Sequence, residues 1–426
     1  MTVVVLYDDL KARRFEPYAS TRPVSEMVAG TSLIRERWKI ALQPTEGAQF
    51  VAGPRMLDFE EGDETHPATG LIPAGAIIAN ARCVPAFPSD IARAAERAAS
   101  CSLWRCGEEV AAVRLRSPLD ASAFDDGSLT LDELHAGTGA IAEIPGWWHH
   151  EVWDFIRYLG EQLTSDVTIW SQQEYNRARL ATYKPPPHTT VIGDYPIVVL
   201  GDDAVPGMDP AVIEPHVVLD ASAGPVMIST GAHIRAFSRI NGPCYIGRGT
   251  TVMGGEVSGC SIGETCKVRG ELSNSIAIGH SNKGHDGFVG HSYLGRWVNL
   301  GAGTTTSNLK NTYGTVALWT PSGVRDTGLQ FLGTLFGDHV KTGIGLRLTT
   351  GTVLGAGANV FDTMPPKTVS PFSWGGGAPY ETYRADKFIE TAARMMSRRH
   401  IELSERDRRH LAAVHAARWT VETDEL

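Results

Sequence analysis

Three histidines stand close together at His280, His285 and His291, with Lys283 between the first two and Asn299 and Asn308 shortly after. Histidine titrates near neutral pH, so it can act as a general base or bind a metal as neutral imidazole. Asparagine side chains can hold polar substrate groups. The segment Gly301-Ala302-Gly303 could offer turn N–H groups to a developing oxyanion. A second group lies near the N-terminus, where Asp8 and Asp9 close an apolar run and Arg14 and Arg22 follow. The six cysteines (Cys83, Cys101, Cys106, Cys244, Cys260 and Cys266) form no C-x-x-C pair. The C-x4-C of Cys101 and Cys106 is a weak metal signal, and reduced thiols in a cytoplasmic protein are the simplest reading.

The elements that must position the histidines repeat every six residues. Aliphatic residues recur at Ile228, Ile234, Ile240, Ile246 and Val252. Small residues follow the first four at Ala232, Ser238, Cys244 and Thr250. The pattern shifts register and resumes at Ile262 and Val268, with Cys266 and Leu272 in the later slots, and returns at Leu294, Leu300, Leu348, Leu354 and Val360. Glycine often comes next, as in Ile246-Gly247 and Leu300-Gly301. A period of six suits neither helix nor extended strand. It suits a solenoid in which each hexapeptide makes a short strand and a turn, with the aliphatic residue inward. Cys244 and Cys266 then read as interior fillers. Six residues on a three-sided coil lead to the next face, so His285 and His291 should not converge, which argues against a metal held by His280, His285 and His291. Interruptions near Ser307–Gly314 and Pro321–Gln330 predict loops on one face.

The 45 glycines of 426 residues have no Gly-X-Y period and no Ser- or Pro-rich context, so collagen and disordered linker are excluded. A net charge of −9 argues against nucleic-acid binding as the main role. No apolar stretch is long enough to span a bilayer, and the first residues lack the basic flank of a secretory signal. Before the repeats, short apolar runs at Val3–Leu6, Gly75–Ile78 and Val110–Val113 alternate with helical stretches, which is α/β composition. Helical spacing at Val152, Phe155, Ile156, Leu159 and Leu163 predicts an amphipathic helix over Glu151–Leu163. The prolines Pro185–Pro187 mark the boundary. Expected are an α/β domain over residues 1–184, a linker over 185–205, a β-helix over 206–378 and a helical tail over 379–426. In the tail, Ala385 to Met396 has helical spacing and Ser404-x-x-Asp407 reads as a capping box. Its arginines (Arg394, Arg398, Arg399, Arg406, Arg408 and Arg409) read first as a solvated face, and second as contacts to a phosphate-bearing ligand.

The hexapeptides resemble those of left-handed β-helix acyltransferases. The segment K-G-H-D-G-F-V-G-H-S-Y-L-G-R-W-V-N-L-G-A-G-T-T-T-S-N from Lys283 resembles the acetyltransferase half of the bifunctional glucosamine-1-phosphate acetyltransferase / N-acetylglucosamine-1-phosphate uridylyltransferase family. That family carries H-x-x-Y-x-G, then a glycine, then N-I-G-A-G-T-x-x-x-N-Y. His285, Gly290, Gly295, Asn299, Gly301, Ala302, Gly303, Thr304 and Asn308 match without gaps. Phe288 replaces the tyrosine, Leu309 replaces the tyrosine after the second asparagine, and the lysine stands one residue nearer the histidine. The N-terminal F-E-P-Y-A-S-T-R-P-V-S-E-M-V-A-G-T-S-L-I-R-E-R-W resembles a divergent branch of GlmU-like sugar nucleotidyltransferases. The usual glycine-rich loop, L-x-x-G-x-G-T-R-M, is missing.

The resemblance implies a left-handed parallel β-helix behind a Rossmann-like nucleotidyltransferase domain. It implies His285 as base, Asn299 and Asn308 on the substrate, Phe288 beside them, and Gly301, Ala302 and Gly303 near acetyl-CoA and the oxyanion. Lys283, Arg269 and Lys310 are candidate cations for a sugar phosphate. In the first domain Asp8, Asp9, Arg14 and Arg22 could serve a nucleotide with Mg2+; alternatively Asp8-Asp9 is the polar end of a strand and Arg22 caps a turn before Pro23. The implied reactions are N-acetylation of an amino-sugar-1-phosphate by acetyl-CoA and nucleotidyl transfer from a UTP-like nucleotide. Together they would give a nucleotide sugar such as UDP-N-acetylglucosamine for the cell envelope. The implied assembly is a homotrimer, cytoplasmic, with neither nucleic acid nor membrane as partner. The alternatives are a non-catalytic nucleotide-sugar sensor in front of an acetyltransferase, and a solenoid without chemistry.

Overall fold

The computed structural model describes residues 2–61, 66–134, 139–173, 185–200 and 209–421. The chain forms two compact units: residues 1–154 with 385–417, and residues 155–384 with 418–426.

In the first unit, apolar strands surround β1 (Val4–Tyr7), all four residues of which are buried. Further elements are α1 (Ile34–Leu42), β2 (Ala48–Val51), β3 (His66–Pro67), β4 (Ile77–Asn80), α2 (Ile91–Ser100), β5 (Cys101–Cys106), β6 (Glu109–Arg114) and β7 (Ala140–Glu143). The sheet order is β7-β5-β6-β4-β1-β2-β3. Strand β1 pairs in parallel with β2 on one side and β4 on the other, Tyr7 standing opposite both Val51 and Asn80. Strand β6 is antiparallel to β4 and β5. Because the chain leaves β1 for β2 and later returns on the opposite flank, the carboxyl end of β1 is a switch point, where open α/β sheets place their ligands. Asp8, Gly53 and Arg82 follow the ends of β1, β2 and β4. The expected strands at Val3–Leu6, Gly75–Ile78 and Val110–Val113 lie at β1, β4 and β6 with small shifts of boundary.

The second unit is a parallel β-helix with three faces. Inward residues of the first face stack as Ile228, Ile246, Ile262, Ala277, Leu294, Phe336, Leu354 and Val369. The second face stacks Ile213, Ile234, Val252 and Val268, and the third Leu219, Ile240, Val257, Leu272 and Val289. Successive aliphatic residues six apart therefore fall on successive faces, and eighteen residues close a coil, as from Ile228 to Ile246. Ala232, Ser238, Cys244 and Thr250 are all at most 1% exposed, which fits their role as fillers at crowded corners. All six cysteines are buried thiols, none of them in a disulfide. The extra length between Leu294 and Phe336 is an insertion holding the hairpin Ala317–Thr320/Gly323–Asp326, where the loops were expected.

Two expectations differ from the structure. The helix expected over Glu151–Leu163 is two helices, Asp154–Arg157 and α3 (Leu159–Gln172), separated at Tyr158. Val167 of α3 packs on Val198 and Met227, so this helix belongs to the β-helix unit and does not close the first. The stretch expected as linker already supplies the strands Thr190–Ile192 and Ile197–Val199, while residues 201–208 lie outside the described ones.

The tail forms α4 (Ala385–Ser397) and α5 (Glu405–Ala416), the latter with the expected capping box of Ser404 and Asp407. Both helices belong to the first unit. His410 fixes α5 there, its Nε2 lying 2.8 Å from the Thr21 carbonyl oxygen and its Nδ1 3.3 Å from that of Arg55. Arg409 pairs with Asp58 and Arg406 donates to the Leu57 carbonyl, so these arginines hold the chain's own loops.

Candidate functional site

One coil carries all three histidines, one at each corner. His280 follows the first-face strand Ile276–Gly279, His285 lies between the second-face strand Asn282–Lys283 and the third-face strand Phe288–Gly290, and His291 follows that strand. Three corners of a coil point three ways, so the rings do not meet. Among the described residues no group of three or more His, Cys, Asp and Glu could hold a metal.

The three rings have different surroundings. The ring of His280 packs on Trp297 at 4.3 Å, and Arg296 Nη1 lies 3.0 Å from its Nδ1. His291 is half-buried, stacks on Phe331 and receives an N–H from Asn308 Nδ2 at 2.9 Å. Burial pushes its ring down to about 4, so it is neutral at pH 7. His285 is exposed, on a corner flanked by the inward residues Lys283 and Val289.

Beneath His285 the second face breaks its own rule. Lys283 is in register with Val268, in an inward position that Ile234 and Val252 fill in the earlier coils, and is 2% exposed. Its ammonium donates to the carbonyl oxygens of Arg269 (2.9 Å) and His285. Burial lowers its pKa to about 8. Lys283 thus stitches two successive corners together and supports the backbone that carries His285. Arg269, the second candidate cation, pairs with Asp286 at 3.0 Å. Lys310, the third, is half-buried in the inserted segment.

Phe288, Gly290, Asn308 and His291 are brought together at the far end of the third-face strand. A Cβ on Gly290 would stand 2.4 Å from the Phe288 ring and 2.6 Å from Asn308 Nδ2, so only glycine leaves room for this packing. Asn299 lies elsewhere, on the second face, where its Oδ1 accepts from Asn282 Nδ2 at 2.8 Å. The strand Phe288–Gly290 therefore separates His285 from Asn308 within one chain.

Gly301, Ala302 and Gly303 make the next coil's corner above His285. The Gly301 N–H donates to Thr342 Oγ1 and the Gly303 N–H to the Asp286 carbonyl, both at 3.0 Å. Ala302 N–H has no acceptor among the described residues, so of the three it is the donor left for an incoming oxygen. A Cβ on Gly301 would lie 2.1 Å from the Gly343 carbonyl oxygen, which explains this glycine as a close approach of coils.

The carboxyl end of β1 holds the other candidate residues. Asp8 is 3% exposed; its Oδ2 accepts the Val24 N–H at 3.0 Å and its Oδ1 has no hydrogen-bond partner. Burial raises it to about 7. Asp9 accepts from Arg82 Nη2 at 2.6 Å, from Asn80 Nδ2 and from the Ala12 N–H. Burial alone would raise Asp9, but these partners outweigh it and its carboxyl titrates below the usual range. Arg22 pairs with Glu61 at 2.6 Å and lies over the Phe59 ring, while Arg14 is exposed. As arranged, Asp8 and Asp9 do not form an open carboxylate pair for Mg2+: one is buried against a backbone N–H and the other is neutralised by Arg82. Sequence reasoning missed Asn80 and Arg82, whose only signal was their place at the end of an apolar strand and just beyond it. A cavity of about 230 Å3 opens at the ends of β2 and β3, lined by Gly53, Thr69, Gly70, Ser122 and Asp125 among others.

The fold and sites define a chain with an α/β unit of nucleotidyltransferase type and a parallel β-helix of hexapeptide repeats. Residues 4–174 match the family described as sugar nucleotidyl transferase. Over 104 residues, or 23% of the chain and 22% of the relative, the sequence is 36% identical to the bifunctional protein GlmU of Jannaschia sp. (strain CCS1). Over 91 residues, or 21% of the chain and 23% of the relative, it is 32% identical to the bifunctional sugar-1-phosphate nucleotidylyltransferase/acetyltransferase of Sulfurisphaera tokodaii. The chain therefore spans less than a quarter of the length of these curated relatives. The resemblance to GlmU-like bifunctional proteins read from the motifs agrees with both. Among the described residues no helix is long and apolar enough to cross a membrane.

Proposed function

We propose that the chain is a GlmU-like transferase whose β-helix uses acetyl-CoA to acetylate the amine of an amino-sugar-1-phosphate of the glucosamine-1-phosphate type. The observation that carries this reading is the exposed His285 on a corner held by Lys283, below a corner whose Ala302 N–H is free. The amine nitrogen attacks the thioester carbonyl carbon and His285 accepts the amine proton. The carbonyl oxygen gathers charge against the Ala302 N–H. The C–S bond then breaks, and the proton passes from His285 to the departing thiolate. Asn299 and Asn308 hold the sugar. Since one chain keeps His285 and Asn308 on opposite ends of a strand, the reading includes a homotrimer in which a neighbour completes the site. The α/β unit would transfer a nucleotidyl group from a UTP-like nucleotide to a sugar-1-phosphate, giving a product such as UDP-N-acetylglucosamine in the cytoplasm.

A second reading of the α/β unit rests on the closed Asp9–Arg82 and Arg22–Glu61 pairs. It makes that unit a nucleotide-sugar sensor without catalysis. The full chain, given acetyl-CoA and glucosamine-1-phosphate, should release CoA thiol, and His285→Ala should abolish this release while leaving the α/β unit's reaction unchanged. Undiminished thiol release would remove His285 from the mechanism. Pyrophosphate release with UTP, Mg2+ and a sugar-1-phosphate supports the nucleotidyltransferase; no turnover over a panel of nucleotides and sugars supports the sensor.

A further inference from the structure

The outward positions of the second face form a polar ladder. Lys267, Asn282, Asn299, Lys341 and Asn359 stand in register in five successive coils. Neighbouring strands lie about 4.8 Å apart, so each side chain is in reach of the next. Asn282 gives its amide N–H to Asn299 Oδ1. The Asn299 oxygen is thereby used, and its own NH2 remains to donate.

Lys341 sits between Asn299 and Asn359 and is half-buried. Its Nζ donates to the His339 carbonyl oxygen at 3.1 Å, and among the described residues no carboxylate is paired with it. Burial alone lowers its pKa, to about 8. A partly desolvated ammonium without a counter-charge is costly, so an anion that reaches it is favoured by its charge. Two asparagine amides beside one ammonium supply several donors along one line, which suits the several oxygens of a phosphoryl group better than a point charge. The face also has the right location. It passes through the coil of His285, which stands two residues after Lys283, and it includes Asn299.

We infer that Lys341, with Asn299 and Asn359 on either side, is a phosphoryl-binding subsite on the second face of the β-helix. It rests on the acetyltransferase reading for its role, since both reactants of that reading, the sugar phosphate and coenzyme A, carry phosphoryl groups. The anion site itself can be tested without any turnover. It would supply the cation that Lys283 and Arg269, tied to backbone carbonyls and to Asp286, do not.

The test compares the full chain with Lys341→Met, which keeps the length of the side chain and removes its charge, and with Lys341→Arg. Inorganic phosphate is titrated in while reductively 13C-methylated lysines are observed by NMR. The resonance missing from Lys341→Met reports on Lys341. In the unsubstituted chain phosphate should move this resonance and raise its titration midpoint, and Lys341→Met should weaken the corresponding binding by about tenfold, the loss of one charge-assisted contact. Lys341→Arg should retain binding. A Lys341 resonance indifferent to phosphate, or equal phosphate binding by Lys341→Met, overturns the subsite. If the subsite holds, the source of the phosphoryl group is read from kinetics: Lys341→Met raises KM for the sugar phosphate in one case and for acetyl-CoA in the other, with little change in kcat. Phosphate binding at Lys341 in a chain that acetylates no amino sugar would leave the subsite standing and remove the acetyltransferase reading instead.

Discussion

Replacing Asp8 by asparagine should remove most of a pH dependence that this one carboxyl imposes on the α/β unit. Asp8 lies at the carboxyl end of β1, 3% exposed, with one oxygen on the Val24 N–H and the other without a partner. Burial raises it from 3.8 to about 7. The folded carboxyl holds its proton longer than the unfolded one, so its contribution to stability is fully present below the unfolded value. That contribution is lost as pH rises, until the folded carboxyl ionises near 7. The whole interval corresponds to roughly 4 kcal/mol, and the part falling between pH 5 and pH 8 to about 3 kcal/mol. Asparagine has the same shape, keeps an oxygen for the Val24 N–H and never ionises. It leaves an N–H without a partner, at a cost of about 1–3 kcal/mol. That cost does not vary with pH, so the difference between the two pH values isolates the carboxyl. The assay is urea unfolding of the full chain at pH 5 and pH 8, following the transition of the α/β unit. Asp8→Asn should gain about 3 kcal/mol on the parent chain between the two pH values. Equal pH slopes for the two chains would refute the argument, because Asp8 would then ionise as easily folded as unfolded.

Two further perturbations probe the neighbouring constructions. Arg82→Ala strands the Asp9 carboxylate and should cost about 3 kcal/mol, part of it recovered by adding Asp9→Asn; urea unfolding of the single and double variants measures the coupling. Asn308→Asp puts a carboxylate beside the His291 ring, now 2.9 Å from the Asn308 amide. The ring should then titrate about two pH units higher by NMR, and a value still near 4 would mean that the two side chains are not in contact in solution.

The β-helix was legible because its signal is local and repeated. Each inward residue reports on one strand, and the run from Ile228 to Val252 gives five readings of the same geometry. The switch point of the first unit was not legible, because its pairing is distant. Arg82 reaches Asp9 across 73 residues, and nothing near Asp9 announces it. Glu61 likewise claims Arg22 across 39. Lys283 stands among the candidate cations for a sugar phosphate because an inward position is unusual for lysine. Its register with Val268 puts it there, and only the two carbonyls beside it make the position tolerable. Lys341 escaped attention because the inserted hairpin interrupts the period between Leu300 and Leu348, which hides its place directly above Asn299.

The coil that carries His280, His285 and His291 shows why residue type and proximity do not settle a site. A β-helix corner turns each successive hexapeptide away from the last, so three histidines within twelve residues meet three environments. His280 is held against Trp297, and Arg296 Nη1 already lies 3.0 Å from its Nδ1. His291 is neutral through burial and already receives the amide of Asn308, which occupies the nitrogen a substrate proton would need. Only His285 is exposed, and its backbone alone is fixed by a buried ammonium. A general base needs a free lone pair, access and a fixed origin, and among the three corners only that of His285 supplies all of these. The same lysine that secures His285 is thereby withdrawn from the substrate, so the charge that meets a phosphate must come from another coil, and the outward ladder of the second face offers Lys341.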